Sequence, residues 1–317
     1  MPGYRIVHRL ESDPAAERCA LVAGLRAKPA RIPPKYFYDV LGCALYGAIG
    51  ALPEYYLTRT ESAIFGAHRT DIARAIGAAG QFVDLGAGDC RKGEWCLSLV
   101  AARRYVAVDI AAAVIDRALS RLAPEFPDVE VLGIITDFTL GLDLRADLAA
   151  LPTTFFYPGS SIGNFAPEEA LAFLQAIRRH CAYPGSGLLI GVDTKKDKAR
   201  LEAAYDDALG VTAAFNRNVL NHVNRVLGSD FAADAYAHRG FYNAAAGRIE
   251  MHLEAISAQT VTFDGAPQTF AAGERIHTEN SYKYAPADFA ALLAHAGFRN
   301  VRCWQDARGD FAVFHGT

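Results

Sequence analysis

Apolar and polar positions change rhythm along the chain, and the changes divide it. Between residues 81 and 192, short apolar runs alternate with stretches whose apolar residues recur every three or four positions. This predicts strands at 81–85, 105–108, 129–132, 153–157 and 187–192, with helices at 92–102, 112–122 and 167–181. Ahead of that block, helical spacing is expected at about 15–27 and 41–51, separated by a Pro-rich bend at Pro29 and Pro33-Pro34. A further helix is expected at about 61–79, with Gly80 as its stop. Strands alternating with helices imply right-handed crossovers and a parallel sheet. Beyond Asp193 the rhythm shifts: about 197–228 reads as helical, and Gly247–Phe263 and Phe270–Thr278 alternate like strands. A helix at 286–296 and a final strand pair, Val301–Asp306 and Phe311–His315 turning at Arg308-Gly309, return the chain to the sheet. Residues 194–283 therefore read as an insertion. With residues 1–60 they form a second domain placed to cover the cleft of the first, which comprises 61–193 plus 284–317.

The first strand of the alternating block ends in a glycine turn, Asp84-Leu85-Gly86-Ala87-Gly88-Asp89, and the second ends in Asp109. Glycine lets backbone approach a ligand closely. A carboxylate at the tip of the neighbouring strand can accept from both hydroxyls of a ribose. A bare tight turn predicts no such carboxylate, so the pair points to a nucleoside cofactor. A dinucleotide fingerprint requires G-x-G-x-x-G. Gly86 and Gly88 fit it, but the third position is Arg91 and the next glycine is Gly93. The incomplete pattern suits S-adenosylmethionine, which carries no phosphate.

Composition narrows the alternatives. The chain has 317 residues, 51% hydrophobic and 21% charged, with net charge −3, which is ordinary for a globular protein. No basic run suggests nucleic acid. Six scattered cysteines form no C-x-x-C pair and have no histidine partner at metal spacing, so reduced thiols and no metal are expected. Met1-Pro2-Gly3-Tyr4-Arg5 lacks a signal core, and no run of about 18 apolar residues offers a membrane span. A cytoplasmic monomer is the expectation.

Other positions carry chemistry with two readings each. Lys92, in the first turn after the glycine loop, can bond a cofactor carboxylate or be a surface lysine. Asp137-Phe138, after the third strand, can accept from an adenine amine and stack on its ring, or be an Asx turn beside a core Phe. Asn164, in Ser160-Ser161-Ile162-Gly163-Asn164, can grip a substrate carboxylate or cap the helix starting at Pro167. Tyr36-Phe37-Tyr38 and Leu52-Pro53-Glu54-Tyr55-Tyr56 form an aromatic cluster suited to binding, and part of it belongs to the core. Tyr205-Asp206-Asp207 and Thr278-Glu279-Asn280-Ser281 are polar islands. Glu279, if buried, is costly unless an N–H-bearing ligand meets it.

Seven blocks together resemble the ergothioneine-pathway histidine Nα-methyltransferases: PPKYFYD (33–39), LPEYYLTRTE (52–61), DLGAGDCRK (84–92), SSIGNF (160–165), AYDDALGVTAAFNRNVL (204–220), RIEMHL (248–253) and TENSYKY (278–284). The resemblance implies an α/β fold: a Rossmann-like class I methyltransferase sheet with a second, substrate-binding domain built from the N-terminal region and an insertion. It implies S-adenosylmethionine held by Gly86, Gly88, Lys92, Asp109, Asp137 and Phe138. It further implies L-histidine held at its α-carboxylate by Asn164 and Tyr205, and at its imidazole by Tyr55, Glu279 and Ser281. Met251 would line the side-chain pocket and Tyr38 would lie near the α-amine. Three methylations would then give the trimethylbetaine hercynine. Asn280 departs from the apolar residue expected between Glu279 and Ser281, and a polar side chain there can alter the pocket. The rival reading is a related enzyme acting on another α-amino acid or an aromatic amine such as tryptophan.

Overall fold

The apolar runs of the alternating block become the buried strands of one sheet in the computed structural model, which describes residues 3–9 and 13–317. Met1, Pro2 and residues 10–12, on which part of the N-terminal reading falls, lie outside the described residues. In chain order the strands are β1 (Tyr4–His8), β2 (Ala30–Arg31), β3 (Gln81–Leu85), β4 (Arg104–Asp109), β5 (Glu130–Ile135), β6 (Thr153–Tyr157), β7 (Gly187–Asp193), β8 (Tyr236–Asn243), β9 (Arg248–Ala255), β10 (Gln259–Phe263), β11 (Ala266–Phe270), β12 (Arg275–Tyr282), β13 (Arg302–Gln305) and β14 (Phe311–Gly316). The chain divides into two compact units over its described residues. The first is Met1–Glu11, Arg59–Lys195 and Tyr284–Thr317; the second is Ser12–Thr58 and Lys196–Lys283.

In the first unit the sheet order is β1-β5-β4-β3-β6-β7-β14-β13. The pairs from β1 to β7 are parallel, while β14 runs antiparallel to β7 and β13 antiparallel to β14. Strands β3, β6 and β7 are buried at every position, as a parallel sheet covered by helices requires. Helices Arg91–Val100, Ala112–Glu125 and Pro167–His180 make the crossovers. In Ala112–Glu125 the buried residues Ile115, Ala118, Leu119 and Leu122 recur at helical spacing and form its packing face. From β3 the chain progresses outward through β4 to β5, then returns to the other side of β3 with β6 and β7. The reversal between β3 and β6 is the kind of switch point where open α/β sheets bind ligands.

Two expectations need correction here. The single helix expected at 61–79 is two, Tyr56–Ala67 and Arg69–Ile76, broken at His68, and the stop is Gly77 (φ 71°) rather than Gly80. Tyr4–His8, assigned by sequence to the second domain, is an edge strand of the first unit's sheet, paired with β5. Its five residues are mixed in burial, so no clear period marks them.

The second unit has a four-stranded sheet ordered β2-β12-β9-β8 and a separate hairpin, β10–β11. Asp264 (φ 53°) and Gly265 (φ 70°) form the hairpin's two-residue turn, with both residues in the left-handed region that twist-matched hairpins need. Helix Val211–Leu227 buries Phe215, Val219, Leu220, Val223 and Leu227. Among the described residues no helix is long and apolar enough to cross a membrane.

Candidate active site

In the first unit the loop after β3 carries Gly86 and Gly88, the last residue of β4 is Asp109, and the loops after β5 and β6 carry Asp137-Phe138 and Asn164. The N–H groups of Gly86 and Ala87 donate to the Val108 carbonyl at 2.8 and 3.2 Å, tying the glycine turn to the end of β4. Gly86 (φ 69°) and Gly88 (φ 52°) both need the left-handed region. Asp109 accepts from Gly88 N–H at 2.9 Å through Oδ2 and from Ala111 N–H at 2.9 Å through Oδ1. Each carboxylate oxygen keeps a second lone pair for a hydroxyl donor. A turn anchored to the acid in this way fits a ribose.

The helix after the turn lies very close to the sheet. A Cβ on Gly93 would stand 2.3 Å from Asp84 Oδ2 and 2.4 Å from the Tyr105 hydroxyl oxygen. Gly93 thus does the packing that the third glycine of a dinucleotide loop does, two positions later. Tyr105 donates to Asp84 Oδ2 at 2.7 Å, and the buried Oδ1 has no partner among the described residues. Burial pushes the Asp84 carboxyl up to about 7, against the pull of the Tyr105 hydrogen bond.

Lys92 is not a plain surface lysine. Its Nζ lies 2.6 Å from Oε2 of Glu61, which is 0% exposed, and Glu61 Oε1 accepts from Gly159 N–H at 2.8 Å. Gly191 on β7 leaves the room: a Cβ there would fall 2.1 Å from Glu61 Oε1. One buried carboxylate therefore pins the lysine after β3 and the turn after β6 together. An ammonium has three donors, so Lys92 can hold Glu61 and a ligand carboxylate at once.

Both readings of Asp137-Phe138 find support. Asp137 Oδ1 closes an Asx turn on Thr139, 3.1 Å from its N–H. The Phe138 ring packs against the core, stacked on Phe173 at 5.7 Å, yet its Cζ is 3.8 Å from where a Gly86 Cβ would be. Asn164 ends the short turn Ser161–Asn164 and does not cap the next helix. Ala166 holds that place, with its N–H bonded to Glu169 Oε2 at 2.8 Å. The Asn164 amide has no hydrogen-bond partner among the described residues.

In the second unit a register shift between His277 and Glu279 turns both Thr278 and Glu279 to buried positions. From there Glu279, Ser281 and Lys283 recur with the period of a strand, and all three are buried. Glu279 pairs in register with Met251 of β9, itself buried. Tyr205 and Ser281 share a hydrogen bond of 2.8 Å, and Lys283 Nζ donates to both oxygens, at 3.0 and 2.8 Å. Tyr55 meets Tyr205 edge to face at 6.2 Å. Burial raises the Tyr55 phenol well above its ordinary value, reinforced by Tyr46, which also meets Tyr38 edge to face at 6.0 Å. Burial pushes Glu279 up to about 7, with Lys283 pulling the other way. Tyr38, Tyr55, Tyr205, Met251, Glu279 and Ser281 thus belong to one connected set, whereas Asn164 belongs to the first unit.

Asn280 leaves this set undisturbed. Its Oδ1 lies 2.8 Å from His277 Nε2, on the face of β12 opposite Glu279 and Ser281. Strand alternation thus directs the Asn280 side chain away from the side that carries Glu279 and Ser281.

Comparison with known proteins identifies the family. The model of a family described as histidine-specific, S-adenosylmethionine-dependent methyltransferases matches residues 17–316. The chain belongs to this family. It is 41% identical over 318 residues to the histidine N-alpha-methyltransferase of Mycolicibacterium smegmatis, covering 97% of each chain. It is 39% identical over 308 residues to that of Mycobacterium tuberculosis, covering 94% of each. It is also 30% identical over 285 residues to ergothioneine biosynthesis protein 1 of Neurospora crassa, covering 87% of this chain and 32% of that protein.

As a histidine-specific methyltransferase the chain uses S-adenosylmethionine, and its eight-stranded sheet is of the Rossmann-like class I kind. The first unit holds an acid-anchored glycine turn, an aromatic ring beside it and a lysine paired with a buried carboxylate. Three residues outside the sequence reading complete the two sets. Lys283 follows Glu279 and Ser281 at the next strand positions, so period-2 alternation could have flagged it. Glu61 sits on a helical apolar stripe with Leu57, Ile64 and Phe65, all buried, where an acid is out of place. Tyr46 carries no signal that sets it apart from the other apolar residues of Val40–Ile49.

Proposed function

We propose that this protein methylates the α-amine of L-histidine three times, giving the trimethylbetaine hercynine on the route to ergothioneine, as a cytoplasmic monomer. Buried Glu279 carries the reading, together with the family. A carboxyl buried beside Ser281 and Tyr55, raised by burial although Lys283 pulls the other way, is stabilised when a ligand N–H meets it, and imidazole supplies one.

S-adenosylmethionine, when bound, supplies an electrophilic methyl group on a sulfonium. Gly86 and Gly88 admit the adenosyl group, Asp109 accepts from the ribose, Asp137 and Phe138 serve adenine, and Lys92, steadied by Glu61, takes the methionine carboxylate. Asn164 and Tyr205 hold the carboxylate of histidine, Tyr55, Glu279 and Ser281 read its ring, and Met251 walls the side chain.

Methyl transfer to an amine is a direct displacement, so these side chains form no covalent intermediate. The amine must be neutral and in line. Burial favours its neutral form, and alignment of the reactants lowers the barrier by several kcal/mol. A tyrosine with an ordinary pKa near 10 is a weak base at neutral pH. Tyr38 therefore orients the amine or relays its proton to water. After each transfer another N–H remains until three methyl groups are on nitrogen.

A site built to hydrogen-bond a polar ring rejects ligands lacking that group by roughly 10^4-fold or more. Offering the twenty amino acids with S-adenosylmethionine should label histidine alone; faster methylation of tryptophan would favour the rival substrate. In calorimetry Glu279→Ala should weaken histidine binding far more than cofactor binding, and equal losses would remove the role assigned to Glu279.

A further inference from the structure

A buried hydrogen-bond chain runs behind the second unit's substrate residues, and none of its members has yet been given a part in binding. Its hub is Asn216, on helix Val211–Leu227 among the buried apolar residues Phe215, Val219 and Leu220. The Asn216 amide nitrogen donates to the His252 carbonyl at 3.0 Å and to His238 Nδ1 at 2.8 Å, and its oxygen accepts from the Thr278 hydroxyl at 2.8 Å. His238 Nε2 in turn donates to the Tyr205 carbonyl at 2.8 Å. Asn216, His238 and Thr278 are all buried.

Two backbone carbonyls fix the protons of Asn216 and His238. A carbonyl only accepts. The His252 carbonyl therefore faces the NH2 end of Asn216, and the second amide proton goes to His238 Nδ1. With Nδ1 accepting, the one ring proton of a neutral His238 sits on Nε2 and points at the Tyr205 carbonyl. Burial lowers the His238 pKa, against the pull of the Tyr205 carbonyl and of Asp206, and so favours the neutral ring. A matched buried network of this kind specifies one geometry.

That geometry joins two substrate elements. At one end, Thr278 sits at the register shift of β12, and its hydroxyl also lies 3.0 Å from the carbonyl of Met251, the residue paired with Glu279. At the other end, Gly240 makes room for the Tyr205 carbonyl: a Cβ there would stand 2.7 Å from that oxygen. The Tyr205 hydroxyl meets Ser281 at 2.8 Å. Tyr205 is thus fastened to β12 twice, directly by its hydroxyl and, by its carbonyl, through His238 and Asn216. We propose that Asn216 and His238 are positioning residues that set the spacing between Tyr205 and Glu279, and with it the amino acids long enough to reach both. The proposal rests on the reading of Tyr205 as holding the substrate carboxylate and Glu279 as meeting its ring.

The test titrates the full-length protein with L-histidine, which spans both ends, and with histamine, which keeps the ring and amine but lacks the carboxylate. His238→Asn keeps an acceptor near the Nδ1 position for Asn216 but loses the donor to the Tyr205 carbonyl. Thr278→Val removes the hydroxyl at the chain's other end with no change of shape, and Thr278→Ser keeps it. His238→Asn and Thr278→Val should each weaken histidine by about tenfold, the effect of leaving one buried polar group unpaired. Histamine affinity in both, and histidine affinity in Thr278→Ser, should stay within about threefold of wild type. In a Tyr205→Phe background, His238→Asn should cost histidine less than about threefold more, since residues acting through one contact are not additive. If His238→Asn does not fold, Thr278→Val takes its place in both comparisons. Equal losses for the two ligands, additive losses with Tyr205→Phe, or no loss for histidine overturn the proposal. Tyr205→Phe binding histidine as tightly as the wild type overturns the carboxylate reading of Tyr205 itself, and the proposal with it.

Discussion

Exchanging Glu61 for glutamine isolates one buried charge without changing side-chain size. In the native chain its carboxylate is fully buried, with Lys92 Nζ at 2.6 Å and Gly159 N–H at 2.8 Å. Both partners are donors. The amide of glutamine has one acceptor and one donor end, so one of the two contacts must become donor against donor. Removing one member of a buried ion pair costs about 3–5 kcal/mol. The Lys92 side chain is 32% exposed, so its ammonium recovers part of its hydration, and about 2–3 kcal/mol remains. For a domain of this size that is a fall of about 4–12 °C in melting temperature. Lys92 would also lose its fixed direction, and S-adenosylmethionine should bind about tenfold more weakly, equivalent to about 1.4 kcal/mol. Calorimetric melting and cofactor titration read the two effects. A variant that melts within about 1 °C of the wild type and binds cofactor equally well would refute the reasoning that Glu61 is the anchor.

Two further changes probe the second unit. The Glu279 carboxyl is held at about 7 rather than its ordinary 4.5, so between those values the native chain keeps a proton that the unfolded chain has released. Its contribution to wild-type stability therefore falls as pH rises through that window. The melting temperature of Glu279→Gln relative to wild type should shift in the variant's favour from about pH 5 to about pH 7; a constant difference would contradict the buried, proton-holding carboxyl. Asn280→Leu removes the contact with His277 on the far face of β12, so histidine affinity should change by less than about threefold while stability falls slightly. A large loss of histidine affinity would show that residue 280 reaches the pocket.

Much of the first unit is legible in the sequence because its strands are buried on both faces. Gln81–Leu85 and Thr153–Tyr157 fall where their short, largely apolar runs predict, and the closing pair β13–β14 pairs antiparallel as expected. The glycine turn and Asp109 are equally legible, since steric freedom and strand-end placement are local properties. What escapes is whatever depends on a distant partner. Strand β8 (Tyr236–Asn243) mixes buried His238 with Gly240, whose missing Cβ would stand 2.7 Å from the Tyr205 carbonyl oxygen. No local period announces it. The helix expected over 197–228 is interrupted, with Lys198–Ala203 and Val211–Leu227 separated at Gly210 (φ 74°). Lys92 is visible from its place after the glycine loop, but its pairing with Glu61 joins residues 31 positions apart and becomes visible only in the folded chain. The residues proposed for the substrate come from the family resemblance alone; the bulge breaks the strand's alternation ahead of Glu279, so only from Glu279 onward does a plain period of two line it up with Ser281 and Lys283.

The most direct test is to incubate the protein with L-histidine and S-adenosylmethionine and follow product mass over time, locating each added group by fragmentation. The account predicts species heavier by one, two and then three CH2 units, all on the α-nitrogen, with the third accumulating. Methyl groups on the imidazole, or no mass change in histidine while another amine is methylated, would contradict it.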